Sequence, residues 1–166
     1  MPIVMDGMTD ETWRPAPDPL VACSRGSLVE LAAVLPSSGR FVVARLDGTR
    51  MTDADHVLYD FSDALCFPRY FGWNWDALSD CLEDLHWLPA DGYLLIVDNA
   101  PRLMADSTQD RHTLFRILAR AVHHWASPLG QPEGKVVPFT TLLLCDRDEE
   151  TVRLRQDIAR ALHNGR

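Results

Sequence analysis

Residues 93–97 read Tyr-Leu-Leu-Ile-Val, an apolar run that no polar residue interrupts. A strand that is apolar on both faces is typical of a parallel sheet covered on both sides. Residues 41–46 and 139–145 are also rich in apolar residues, and helical patterns separate the three runs. The sequence therefore predicts an α/β fold with a three-stranded parallel sheet and right-handed crossovers.

Four helices are predicted around this sheet, near residues 53–65, 74–85, 108–125 and 148–163. The core order is thus β-α-α-β-α-β, followed by an extra C-terminal helix. We expect residues 39–166 to form the domain and residues 1–38 to form an N-terminal extension. The extension is predicted to be partly extended, with a short helix that begins at the capping box Ser27–Glu30 and ends at Pro36.

The charge of the chain is concentrated in its middle third. Residues 46–101 carry eleven acidic and two basic side chains, a net charge of −9 within a chain of net charge −8. Between residues 70 and 101 there are six carboxylates and no Lys or Arg. Such a surface repels nucleic acid and anionic membranes and attracts a basic protein. We therefore expect a basic protein as partner, and neither nucleic acid nor a membrane.

The cysteines and the N-terminus bear on cellular location. Cys23, Cys66, Cys81 and Cys145 include no Cys-x-x-Cys pair, so no metal site is suggested. Each lies in or beside an apolar stretch, which favours reduced, buried thiols. The N-terminus lacks the basic start and apolar core of a signal peptide, and no run approaches the ~20 apolar residues that span a bilayer. We expect a cytoplasmic protein without a cofactor.

The predicted helix at residues 74–85 has two different faces. Asn74 is a favourable N-cap. Apolar residues share the side expected to face the sheet: Trp75, Leu78, Leu82 and Leu85. Asp76, Asp80 and Glu83, at i, i+4 and i+7, fall on the opposite side. Most acidic faces are simply solvated, but four aromatics within residues 70–75 cannot all be core. From composition alone, a solvated face and a binding surface both stay open.

Residues 68–82 read Pro-Arg-Tyr-Phe-Gly-Trp-Asn-Trp-Asp-Ala-Leu-Ser-Asp-Cys-Leu. This segment resembles the signature of the barstar family, Pro-x-Tyr-(aromatic)-Gly-x-Asn-(apolar)-Asp-Ala-Leu-x-Asp-x-Leu, and every fixed position is filled. The resemblance extends from about Gly39 to Cys145. It implies a barstar-like fold and an intracellular inhibitor that inserts this loop and helix into the active site of a ribonuclease.

The resemblance also implies which residues touch the nuclease. By position they are Tyr70, Asn74, Trp75, Asp76, Ala77 and Asp80. Asp80 matches the carboxylate that takes the place of a substrate phosphate. Ser79 and Glu83 lie in the same contact segment but depart from the family pattern, because they stand where it has tryptophan and threonine. Leu85 replaces a second tryptophan, and Arg120 replaces a glutamate at the edge of the contact surface. The departures leave the identity of the nuclease open.

An enzyme is the main competing class. None of the six histidines lies in a nucleophile, metal or phosphate motif. Asp98 and Asn99 follow a predicted strand at the sheet edge where α/β active sites occur, but this dipeptide is more typical of a turn. A carboxylate pair of Asp76 and Asp80 would need a cleft, which an outward helix face does not offer. We therefore predict no catalytic activity.

A second alternative keeps the fold but changes the partner. The chain is then an immunity protein against a different class of toxin, or a non-catalytic interaction module. The segments outside the resemblance could supply another contact surface or a dimer interface, so the oligomeric state stays open.

Overall fold

The computed structural model describes residues 3–7, 19–25, 39–127 and 136–163. Its strands and helices, in chain order, are β1 (Ile3–Gly7), β2 (Leu20–Ser24), β3 (Gly39–Asp47), α1 (Ala54–Ala64), α2 (Trp75–Asp84), β4 (Gly92–Asp98), α3 (Thr108–Ala126), β5 (Phe139–Cys145) and α4 (Asp148–His163). Within these ranges, none of the helices has the length and apolar character needed to cross a bilayer. The three predicted strands and four predicted helices are confirmed.

The sheet has more strands than the sequence predicts. Its order is β1-β3-β4-β5-β2, with β3, β4, β5 and β2 parallel and β1 antiparallel at the edge. The predicted three-stranded parallel sheet is therefore wrong, because the parallel part has four strands. The fourth is residues 20–24, which pair with residues 141–145 of β5. A five-residue strand carries little local signal, and its pairing with β5 is a tertiary effect.

The N-terminal residues thus contribute two edge strands to the same sheet as the rest of the chain. Arg155 of α4 ties β2 in place, donating from Nε and Nη2 to the carbonyl oxygen of Ala22 at 3.1 and 3.0 Å. The short helix predicted over residues 27–36 lies outside the described residues. The division of the chain at residue 38 stays a prediction.

The main core lies between one face of the sheet and the helices. In β4, Tyr93, Leu95 and Val97 belong to this core, together with buried residues of all four helices. Leu94 points to the opposite face, where strand residues of the described chain form a second, smaller cluster. The prediction that β4 is buried on both faces is confirmed except at Ile96, which is only partly buried.

The cysteines are free thiols, but their burial differs from the expectation at one position. Cys23, Cys81 and Cys145 are buried, whereas Cys66 is exposed. Cys66 follows the C-cap Leu65 of α1 and has a positive φ of 52°, so it lies just beyond the end of the helix and outside its buried face. The prediction of a buried thiol is therefore wrong for Cys66.

Candidate protein-binding surface

The loop that precedes α2 divides its aromatic residues between core and solvent. Phe71 is 4% exposed and packs on Phe67, with ring centroids 4.9 Å apart. Tyr70 and Trp73, by contrast, are 68% and 55% exposed. Trp75, in the first turn of α2, is partly buried against the core. The expectation that these four aromatics cannot all be core is confirmed, and Tyr70 and Trp73 are the two that face solvent.

The start of α2 is fixed by hydrogen bonds of one side chain. Asn74 is the N-cap; its Oδ1 accepts from the backbone N–H of Ala77 at 2.8 Å, and its Nδ2 donates to the carbonyl oxygen of Gly72 at 3.1 Å. Gly72 packs so closely that an added Cβ would lie 3.2 Å from Cβ of Ala77. Loop and helix therefore form one locally rigid unit.

The inner face of α2 is anchored at its C-terminal end. Leu78, Leu82 and Leu85 are fully buried, as the helical pattern predicts. The indole Nε1 of Trp125 in α3 donates to the carbonyl oxygen of Leu82 at 2.8 Å. Leu85 ends the helix in the left-handed conformation, with φ 42°, and its N–H donates to Cys81 O. The outer face of α2 is thus held in one orientation by its buried face.

Two carboxylates stand on this outer face without a partner. Asp76 and Asp80 are exposed, and neither carboxylate has a hydrogen bond or an ion pair with any residue that the structure describes. They are one helical turn apart, so their charges repel one another weakly. Asp76 also lies in the first turn, where a negative charge is favoured by the helix dipole. The pair is a rigid, negatively charged array open to solvent.

The third predicted carboxylate is not free. Glu83 pairs with Nε of Arg120 in α3 at 2.7 Å, and Nδ1 of His124 lies 3.5 Å from its other oxygen. The hydroxyl of Ser79, itself only 7% exposed, donates to Glu83 at 3.2 Å. Ser79 therefore offers little surface to a partner, and the charge of Glu83 is largely compensated. Sequence reasoning missed this ion pair, since helical periodicity carries no information about a residue on another helix.

The acidic surroundings also act on neighbouring groups. Burial raises the pKa of the Cys81 thiol to about 11, and the negative charges of Asp80 and Asp84 add to this effect. The pKa of Tyr70 is raised in the same direction, by desolvation first and then by Asp84 and Cys81. Both groups are therefore neutral at neutral pH, and the negative charge of the surface belongs to its carboxylates.

The alternative catalytic site considered for Asp98 and Asn99, at the carboxyl ends of the strands, contains a network of ion pairs. Asp98 is 8% exposed and accepts from the guanidinium of Arg45, and Nη1 of Arg25 lies 3.0 Å from it. Asn99 has a positive φ of 49°, as a turn residue can, and donates to Asp47 at 2.9 Å. Because two arginines already neutralise Asp98, this carboxylate is better explained as a link between strands than as a catalytic base.

The other residues that could take part in catalysis or metal binding do not form a common site within the described ranges. Within the described ranges, no group of three or more His, Cys, Asp or Glu side chains is arranged to hold a metal ion. The histidines mostly contact single carboxylates, as His112 does with Asp157 at 2.7 Å. The predicted contact residues, by contrast, come together on one loop and one helix: Tyr70, Asn74, Trp75, Asp76, Ala77 and Asp80.

Fold and surface together define an α/β protein with a parallel sheet and a rigid, acidic helix that is flanked by exposed aromatic rings. The sequence model of the barstar (barnase inhibitor) family matches residues 41–143. The chain belongs to the barstar family. No curated protein matches it significantly in sequence.

Proposed function

We propose that this protein binds the active site of a basic ribonuclease through residues 70–85 and thereby blocks it. The observation that carries the proposal is the pair Asp76 and Asp80, exposed and unpaired among the described residues on a helix whose other face is fully anchored. Binding energy is not spent on ordering such a surface, because the helix is already in place. Family membership supports the proposal that the protein inhibits a ribonuclease. The exposed carboxylates support the proposal that it does so through residues 70–85.

The chemistry of the two partners is complementary. A ribonuclease holds a polyanion with Arg, Lys and His side chains, and carboxylates at fixed positions can take the place of phosphates there. We propose that Asp80 occupies the phosphate position and that Asp76 supports it. Tyr70 supplies an exposed aromatic ring beside the acidic array, and Asn74 and Ala77 keep the helix start in position. Trp75, Ser79 and Glu83 are then at the margin of the contact.

An inhibitor of this kind needs no chemistry of its own. We therefore propose a non-catalytic protein that acts in the cytoplasm, where an uninhibited ribonuclease would degrade cellular RNA. The acidic segment 46–101 makes direct contact with nucleic acid unfavourable.

Substitution of Asp80 tests the proposal most directly. The probes are barnase and a panel of other basic microbial ribonucleases, and the readout is inhibition of RNA cleavage. Asp80→Ala is expected to weaken binding by roughly 2–5 kcal/mol, a range typical of truncating one partner of a buried charge pair, because the partner charge stays buried and unpaired. Thermal stability should hold or rise slightly as repulsion with Asp76 falls.

The control variant is Glu149→Ala, which removes one exposed carboxylate from α4 and should leave inhibition unchanged. If Asp80→Ala folds normally and inhibits as well as the unmodified chain, the proposed surface is wrong. If the unmodified chain inhibits none of the panel, the proposed class of partner is wrong.

A second candidate rests on a specific feature, the compensated charge of Glu83. With Ser79 buried and Arg120 paired to Glu83, this surface is smaller and less acidic than the family pattern alone implies. We propose as the alternative an immunity protein that uses the same helix against a toxin of another class. Inhibition of a basic non-ribonuclease toxin, with the panel unaffected, distinguishes the two.

A further inference from the structure

A small cleft adjoins the proposed surface on the side of α1. This aromatic cleft has a volume of about 250 Å³ and is lined by Tyr59, Ser62, Asp63, Cys66 and Trp73. Tyr59 and Trp73 are 57% and 55% exposed and rank among the few large apolar side chains in the described part of the chain that face solvent. The cleft is smaller than a typical small-molecule site of ~300–1,000 Å³, so its size suits a single side chain.

The ring of Trp73 is held in this exposed position by its surroundings. It lies 5.1 Å from the ring of Phe71, which is buried and packs on Phe67. Its backbone has a positive φ of 53°, a conformation that costs a residue with a Cβ about 1–3 kcal/mol. A strained backbone conformation is typical of functional positions, and an exposed tryptophan is typical of binding surfaces.

The polar groups of the aromatic cleft indicate the charge of that partner. Asp63 lies one turn after Tyr59 on the same face of α1. Its carboxylate has no hydrogen bond or ion pair with any described residue, and no Lys or Arg lines the cleft. Two aromatic rings beside an unpaired carboxylate form a site for a cation, because the ring faces and the carboxylate both attract positive charge.

We infer that the aromatic cleft receives an arginine or lysine side chain of the nuclease, as a second contact beside α2. The inference rests on the proposed function, which supplies a basic partner. Arginine fits best, since its planar guanidinium can stack on Trp73 or Tyr59 while it donates to Asp63. Trp73 lines the cleft and lies directly before the N-cap Asn74, so the cleft lies beside the start of α2.

Three substitutions test the inference against the same panel of ribonucleases. Trp73→Ala and Tyr59→Ala should each raise the dissociation constant about tenfold, and Asp63→Asn severalfold. Trp73→Phe should retain most of the affinity, because a ring remains. Val152→Ala, which removes an equally exposed apolar side chain from α4, is the matched control and should change nothing. All four positions are exposed, so the five variants are expected to fold, which thermal unfolding checks.

Cys66 gives a readout that does not depend on mutation. It is the one exposed cysteine of the four, so alkylation of the native protein labels the cleft selectively. The bound nuclease should slow this alkylation at least tenfold, and prior alkylation should weaken binding.

The outcomes distinguish a failure of the inference about the cleft from a failure of the proposed function. Loss of binding in Asp80→Ala, with unchanged binding in the cleft variants and unprotected Cys66, overturns the cleft alone. Weaker binding in Trp73→Ala, with Asp63→Asn and a Trp73→Leu variant unaffected, means that an apolar side chain occupies the cleft and overturns the assignment of a cation. If the unmodified chain binds none of the panel, the proposed function fails and the inference fails with it.

Discussion

Asp80 and Glu83 carry the same charge on the same face of α2, yet their surroundings differ. Asp80 faces solvent, whereas the side chain of Glu83 is 17% exposed and paired with Arg120. Helical periodicity predicts the shared face correctly, because it depends only on spacing along one helix. It cannot predict the pairing, because Arg120 comes from α3 and meets Glu83 only through the tertiary packing of the two helices.

This difference predicts an unusual effect for Arg120→Ala. Removing the guanidinium leaves the carboxylate of Glu83 without its arginine and deletes a positive charge beside the proposed contact surface for a basic partner. Association with an inhibited ribonuclease should become faster, by about two- to tenfold at low salt. Stopped-flow measurement of the association rate checks this. Arg116→Ala removes an exposed arginine from the same helix and is the control; an equal gain for both variants would contradict the role of Glu83.

The cap residue Asn74 predicts a loss of stability. Asn74→Ala removes the acceptor for the N–H of Ala77 and the donor to Gly72, so the free energy of unfolding should fall by about 1 kcal/mol. Asn74→Asp keeps the acceptor and should lose less, since aspartate caps equally well. Urea unfolding of the three proteins measures both effects. A loss in Asn74→Asp as large as that in Asn74→Ala would argue against capping as the cause.

At the scale of elements, the helices and strands with long sequence patterns are the ones that are predicted correctly. Helices α1 to α4 and strands β3 to β5 are predicted to within a few residues, because each has a sustained apolar period or a clear cap. The edge strands β1 and β2 have five residues each, and β2 follows a proline-rich stretch that reads as loop. Their existence depends on the open edges of β3 and β5, which no local pattern encodes.

The contact between α2 and α3 predicts how strongly α2 is held in place. Trp125→Phe removes the hydrogen bond to Leu82 O and leaves that carbonyl buried without a partner, which should cost about 1–3 kcal/mol of stability. Trp87→Phe is a suitable comparison, because the indole of Trp87 also donates to a carbonyl, that of Leu65, but is only partly buried. Thermal or urea unfolding should show the larger loss for Trp125→Phe. Equal losses would mean that burial of the hydrogen bond is not what matters.

At the scale of the whole molecule, two buried groups predict the response to alkaline pH. Burial raises the pKa of Cys81 from 9.0 to about 11 and that of Tyr93 from 10.0 to about 12. The unfolded chain loses these protons at the lower values, so above about pH 9 it binds fewer protons than the folded chain does. The associated stability is complete below about pH 9 and is lost as the pH rises through 11 to 12.

Urea unfolding at several values between pH 7 and pH 11 measures this dependence. The free energy of unfolding should fall with rising pH above 9, and the fall should be shallower in Tyr93→Phe and in Cys81→Ala than in the unmodified chain. Stability that stays constant to pH 11 would contradict the raised pKa values.

Net charge predicts how the whole molecule meets its partner. Residues 46–101 carry a net charge of −9, so the proposed basic ribonuclease should be attracted before contact. Its association rate should then fall steeply as salt rises from 0.02 to 0.5 M, because the Debye length shrinks from ~20 Å to a few ångströms over this range. The double variant Asp76→Asn/Asp80→Asn should associate more slowly and with a weaker dependence on salt. The control Asp148→Asn/Glu149→Gln removes an equal number of negative charges from α4. It should keep most of the salt dependence, because electrostatic steering depends on where the charges lie and not only on their sum. Equal changes in the two double variants would mean that net charge alone attracts the partner, and an association rate indifferent to salt would remove the electrostatic basis of the proposed function.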